Sequence, residues 1–147
     1  AAELLKDDWG IDSDVWSCPS FTELRRDGID CERWNLLHPE ETPRVPYVRQ
    51  CLEGHAGPVV ASTDYVRAFA DQVRPYVDRD FTVLGTDGYG RSDTRENLRR
   101  FFEVDRYYVT IAALKALADE GVIKPGDVSK AIRKYNIDTD APNPVTV

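Results

Sequence analysis

The loop from Gly85 to Ser92 carries the densest group of side chains able to do chemistry or recognition: Asp87, Tyr89, Arg91 and Ser92, punctuated by Gly88 and Gly90. Glycines on both sides of Tyr89 let the backbone turn sharply and approach a neighbour closely. As a phosphate cradle the loop is poor. It lacks the Gly-x-x-x-x-Gly-Lys-Ser/Thr pattern and the third glycine of a dinucleotide fingerprint, and Asp87 and Asp93 would repel an anion. A structural or subunit-interface loop is the simpler reading. Ser62, His55 and Asp64 supply the residue types of a hydrolase triad, but no Gly-x-Ser-x-Gly elbow surrounds Ser62, which follows Ala61 on an extended apolar run. Three cysteines at 18, 31 and 51 and two histidines at 38 and 55 form no Cys-x-x-Cys or His-x-x-x-His spacing, which argues against zinc. Such thiols read as small buried or half-buried groups in a reducing compartment, by default the cytoplasm.

Charged clusters offer less. Arg95, Arg99, Arg100 and Arg106 lie along one helical region and are partly matched by Glu96, Glu103 and Asp105, so internal pairs or a protein partner are expected rather than nucleic acid. Glu40-Glu41 and Asp7-Asp8 read as solvated faces. Trp9, Trp16 and Trp34 are core or interface mass.

The elements that must position these residues follow from periodicity and punctuation. Ala1 to Asp8 reads as the end of a helix closed by Gly10. Val15-Trp16-Ser17-Cys18 reads as a first strand. Ser20 and Glu23 form a capping box for a short helix interrupted at Asp27-Gly28, with a second helical stretch from Cys31 to Leu37. Pro46 suits the first position of a helix through Leu52. Pro58 to Ser62 is a second strand, Thr63-Asp64 caps a helix from Tyr65 to Val77, and Phe81 to Gly85 is a third strand. Asp93 and Glu96 have capping-box spacing, and Asp105 opens a long amphipathic helix closed by Gly121. A last helix runs from Asp127 to Tyr135, before a loosely held tail with Pro142 and Pro144. Strands alternating with helices, with no hairpin-length turn between strands, predict an α/β fold with a mostly parallel sheet covered by helices on both faces, a three-layer α/β/α arrangement.

The chain has 147 residues, enough for one domain, and 19 basic against 26 acidic residues give a formal charge of −7. That field disfavours phosphate-rich partners, and no apolar run is long enough to cross a membrane. Neither nucleic acid nor membrane is expected as a partner. Methionine is absent, and Ala1-Ala2-Glu3-Leu4-Leu5 starts in helical pattern without a cap. The expectation is therefore that residue 1 is a cut within a helix of a longer polypeptide.

Gly85-Thr86-Asp87-Gly88-Tyr89-Gly90-Arg91-Ser92-Asp93, continuing through Phe101-Phe102-Glu103-Val104-Asp105, resembles the C-terminal domain of the homodimeric, pyruvate-decarboxylating component of the pyruvate dehydrogenase complex. Ser20-Phe21-Thr22-Glu23-Leu24, Cys31-Glu32-Arg33-Trp34-Asn35, Leu37-His38-Pro39, Ala61-Ser62-Thr63-Asp64-Tyr65 and Tyr135-Asn136-Ile137-Asp138 are similar to the same family. Asp87-x-Tyr89-Gly90-x-Ser92 is similar, more broadly, to the last domain of transketolase-type enzymes. The resemblance implies a single domain, residues 1–147, of a transketolase C-terminal kind whose first strand lies outside the chain, leaving an edge or gap beside Val15 to Cys18. It implies a parent enzyme that decarboxylates pyruvate on thiamine diphosphate with magnesium, both cofactors being held by domains not in this chain. No catalytic, cofactor or metal residue is expected here. The implied partners are the remainder of the polypeptide, a second copy of the subunit and the acetyltransferase core, with Asp64, Tyr65, Asp87, Tyr89, Arg91 and Ser92 as interface candidates. The rival expectation is a stand-alone flavodoxin-like module that binds a nucleotide or partner through the Asp87 to Ser92 loop.

Overall fold

A computed structural model describes residues 1–147. Seven α-helices, one 3-10 turn and two strands follow in the order α1 (Ala2–Trp9), α2 (Phe21–Leu37), α3 (Tyr47–Leu52), β1 (Val59–Ser62), α4 (Arg67–Asp71), the 3-10 turn (Arg74–Tyr76), β2 (Phe81–Leu84), α5 (Arg95–Phe101), α6 (Arg106–Asp119) and α7 (Pro125–Lys134). No helix is long and apolar enough to cross a membrane.

The strands pair in parallel, with Val59 opposite Phe81 and Ser62 opposite Leu84. Alternation sends Val59, Ala61, Phe81 and Val83 to one face, where Leu52, Ala70 and Val73 from α3, α4 and the segment after it complete a core, with Phe21 and Leu24 of α2 against it. Helix α6 packs across both strands and carries α1 and α7. Its own core joins Leu5, Leu114, Val128, Ala131 and Tyr135. The expected α/β fold is present, with a smaller sheet.

Several local signals act as read. Gly10 ends α1 in the left-handed region, φ 66°, its N–H bonded to the Leu5 and Lys6 carbonyls. Asp105 caps α6 by accepting from the amides of Tyr107 and Tyr108. Pro125 opens α7 two residues before the expected Asp127.

Four expectations are corrected. Residues 15–18 form no strand: a strand needs a ladder partner, and nothing in the chain pairs with them. Gly28 does not interrupt α2, which is continuous from Phe21 to Leu37. A Cβ at residue 28 would come within 2.4 Å of the Tyr76 ring, so the glycine is there to admit a neighbour, and the helix bears its entropic cost. The helix expected from Tyr65 to Val77 shortens to α4 plus the 3-10 turn, because Pro75 supplies no N–H and cannot extend an α-helical ladder. Thr94, not Asp93, caps α5, accepting from the Asn97 amide; Asp93 accepts from the Thr94 amide and the Asn97 side chain one step outside. The cysteines are all free, with Cys31 buried, Cys51 intermediate and Cys18 exposed.

Candidate functional site

Parallel strands leave their loops at the C-terminal ends side by side, and here those are residues 63–66 after β1 and 85–94 after β2. The two loops are stitched together. The Thr63 amide donates to the Leu84 carbonyl and the Thr86 amide to the Tyr65 carbonyl, while the Thr86 hydroxyl donates to the Asp64 carbonyl at 2.9 Å. Gly85 is required at this crossing, since a Cβ there would lie 2.8 Å from the Tyr65 carbonyl oxygen.

Each carboxylate in the group is committed. Asp64 receives two bonds from the Arg99 guanidinium, Nε to Oδ1 at 3.0 Å and Nη2 to Oδ2 at 2.5 Å, a fork geometry that holds its carboxyl below the usual carboxylate range. Asp87 accepts from the Arg67 amide at 3.0 Å, at the start of α4, with the Arg67 guanidinium 3.6 Å away. Arg91 turns back over the Phe101 ring, 4.2 Å from guanidinium carbon to centroid. Gly88, at φ 98°, lets the loop lie against the tail, where a Cβ would meet the Pro144 carbonyl oxygen at 2.7 Å.

The six candidates therefore divide. Asp64, Tyr65 and Asp87 belong to one bonded network, Arg91 stacks on Phe101, Tyr89 stands 80% exposed and Ser92 is exposed as well. Two residues essential to the network, Arg99 and Arg67, were not among the candidates. Arg99 is paired with Asp64 across 35 positions, not with the neighbouring glutamates, and Arg100 reaches Asp105 and the carbonyls of Tyr135 and Asn136. Only the lack of a close partner for every arginine in that cluster hinted at this.

No hydrolase triad exists. His55 lies before β1 and bonds Asp14 at 2.8 Å, at the opposite end of the strand from Ser62 and Asp64. The loops make a poor magnesium site: Asp64 and Asp87 are each held by an arginine, so no uncommitted carboxylate pair faces outward. The network joins two strand ends to α4 and α5. It fixes the two loops relative to each other.

Residues 1–105 match the family model described as the transketolase-like TK C-terminal domain. All 147 residues align at 67% identity with the pyruvate dehydrogenase E1 component of Cupriavidus necator, covering 16% of that protein. The E1 component of Escherichia coli K12 is 61% identical over 145 residues, 98% of this chain and 16% of that protein. That of Pseudomonas aeruginosa is 58% identical over 146 residues, 99% of this chain and 17% of that protein. The chain thus spans about a sixth of the length of these relatives.

Proposed function

We propose a function from one premise: the chain belongs to the transketolase-like TK C-terminal domain family. On that footing it is the C-terminal, non-catalytic domain of a pyruvate dehydrogenase E1 component. The parent oxidoreductase decarboxylates pyruvate on thiamine diphosphate with magnesium and passes the acetyl unit to lipoyl groups of an acetyltransferase core. The observation that carries this reading is the 67% identity to such a component, sustained over every residue of the chain.

The domain's own contribution is a preformed surface. Asp64–Arg99 and Asp87–Arg67 lock the two strand-end loops, and the locked loops display Tyr89, Tyr65 and Ser92 to a neighbour. A rigid scaffold presenting an exposed aromatic at low conformational cost is suited to subunit contact. The neighbour proposed is a second copy of the subunit, in the cytoplasm.

The full-length polypeptide tests this directly. It is expected to acetylate a lipoyl domain in a reaction that needs pyruvate, thiamine diphosphate and magnesium. Residues 1–147 by themselves are expected to show no turnover and no heat of binding on titration with thiamine diphosphate. Turnover by the 147 residues alone, or a full-length protein indifferent to pyruvate, would overturn the proposal.

A further inference from the structure

The segment after α7 is anchored at two points and bridges the space between them. At its start, Arg100 Nη2 of α5 donates to the Tyr135 and Asn136 carbonyls at 3.2 and 2.8 Å. Further along, Asn143 closes a turn on itself. The Val145 amide donates to Asn143 Oδ1, and the Thr146 amide and hydroxyl both donate to the Asn143 carbonyl, each at 3.0 Å. Asparagine followed by proline suits such a turn, since its side chain accepts from the backbone two residues on and the proline ring presets φ. The turn presents Pro144, the one buried residue of 138–147, to the loop after β2. There it meets Gly88, in the left-handed region at φ 98°, where a Cβ would lie 2.7 Å from the Pro144 carbonyl oxygen and 3.2 Å from Val145 Cα.

Between its anchors the segment spans rather than packs. A cavity of about 370 Å³ lies against it, bounded by Phe101, Glu103, Tyr108, Asp138 and Pro142. No hydrogen bond joins residues 138–147 to the rest of the molecule; those they make are internal. Only the fit of Pro144 against Gly88 seats the turn. A segment with few buried contacts and no polar tie opens locally at low free energy, well before either core does. Phe101 couples this segment to the loop, since it lines the cavity and its ring also carries the Arg91 guanidinium. The loop is thus held at three places: at Thr86 and Asp87 by hydrogen bonds, at Gly88 by the turn, and at Arg91 by Phe101. Tyr89 stands between the last two.

We propose that residues 138–146 are a strap that sets the display of Tyr89, with Asn143 as its positioning residue. Seated, Pro144 holds Gly88 and leaves Tyr89 standing outward. Lifted, it frees residues 88–91, while the bonds at Thr86 and Asp87 keep the base of the loop in place. The seated form has already met the cost of ordering the loop, so it binds a partner more tightly than the lifted one. Contact with a second copy of the subunit is therefore governed by the strap, a role that rests on the proposed function of the Tyr89 surface. By linkage, that contact in turn favours the seated strap.

Two measurements on the full-length polypeptide keep the strap separate from that surface reading. Trypsin cleavage after Arg91 reports opening of the loop, and sedimentation at decreasing concentration reports association. Asn143→Ala removes the Oδ1 acceptor and is expected to raise both the cleavage rate and the association Kd about 5-fold, the factor that one lost hydrogen bond supplies, with the unfolding midpoint unmoved. Asn143→Asp keeps an Oδ acceptor and is expected to restore both. Gly88→Ala pushes on Pro144 from the loop side, leaves the turn intact, and is expected to act in the same direction as Asn143→Ala. Faster cleavage with unchanged association would support the strap and remove Tyr89 from the subunit contact. Cleavage after Arg91 at the parent rate in both variants, or an Asn143→Asp protein no better than Asn143→Ala, would overturn the inference.

Discussion

The helical half of the molecule and the sheet half solve the same packing problem with different success. In the first, α1, α6 and α7 enclose Leu114 and Ala131 completely, and polar links close the rim. Trp9 Nε1 donates to the Tyr135 hydroxyl, which donates to Asp8, itself paired with Lys134. In the second, no residue of β1 is buried, although Phe81 and Val83 of β2 beside it are. A helix satisfies its backbone internally and needs neighbours only for its apolar stripe, so three helices can finish a core among themselves. A strand needs a partner on each side as well as cover on each face, so a two-stranded sheet stays incomplete however well its helices pack.

The largest test of this contrast is Leu114→Ala. Leu114 is fully buried among residues of this chain alone, and its truncation is expected to cost about 3 kcal/mol. Faster native-state exchange of the α6 and α7 amides reads that loss. Val60→Ala on β1 sharpens the comparison: Val60 is only half-buried, and its truncation is expected to cost well under half as much. A cost for Val60→Ala approaching that of Leu114→Ala would break the contrast between the two halves.

Gly28→Ala comes next and probes the sheet half where it is tightly packed. A methyl at 28 must displace the buried Tyr76 ring, whose hydroxyl donates to Glu32 at 3.1 Å. Overpacking is expected to outweigh the gain in helix propensity, with a net loss of about 1 kcal/mol in thermal or urea unfolding. Gly126→Ala, in α7 with open space around the position, is expected to do the opposite and stabilise by about 0.5 kcal/mol. Equal effects at the two glycines would break the distinction between a packing glycine and a dispensable one.

What the sequence disclosed, and what it concealed, divides along the same line. Signals that act over one turn were legible: the Gly10 stop, the Ser20 and Asp105 caps, the apolar spacing of α6 and the parallel alternation of β1 and β2. The Ser20–Glu23 box was half right. Ser20 accepts from the Glu23 amide, but the Glu23 carboxylate pairs with Arg26 instead of returning to the cap. Contacts closed by the fold were hidden. The glycine at 28 looked like a break because its reason, Tyr76, lies 48 positions away. Residues 15–18 have strand composition without a ladder. Of the site, the loop at Gly85–Ser92 and Asp64 stood out by residue type, whereas Arg99 and Arg67 had no local mark distinguishing them from other surface arginines.

A smaller effect is expected at the Asp64–Arg99 pair, which ties a strand-end loop of the sheet half to α5. Arg99 holds the Asp64 carboxyl below its ordinary value near 3.8. A carboxyl lowered on folding stabilises the folded state above its unfolded value, and that contribution is lost as pH falls through the folded value. Both side chains are well exposed, 60% for Asp64 and 44% for Arg99, so screening keeps the contribution below about 1 kcal/mol. Arg99→Gln is therefore expected to lower unfolding stability slightly at neutral pH and to flatten its decline below about pH 4. An undiminished acid slope in the variant would show that Asp64 draws its low value from elsewhere.

Tyr89 and Arg91 should matter least to stability and most to association, which separates the surface from both cores. Tyr89 covers nothing in the chain, so Tyr89→Ala is expected to shift the unfolding midpoint negligibly. Arg91→Ala removes only the stacking over Phe101, worth about 0.5 kcal/mol at an exposed site. In the full-length protein both are expected to weaken association of the subunits, read by sedimentation at decreasing concentration, while thiamine diphosphate affinity is retained. A hot-spot aromatic loses binding energy on truncation only where a partner encloses it. Unchanged sedimentation with lost cofactor affinity would assign this loop to the cofactor side of the enzyme and leave the display of Tyr89 without a partner.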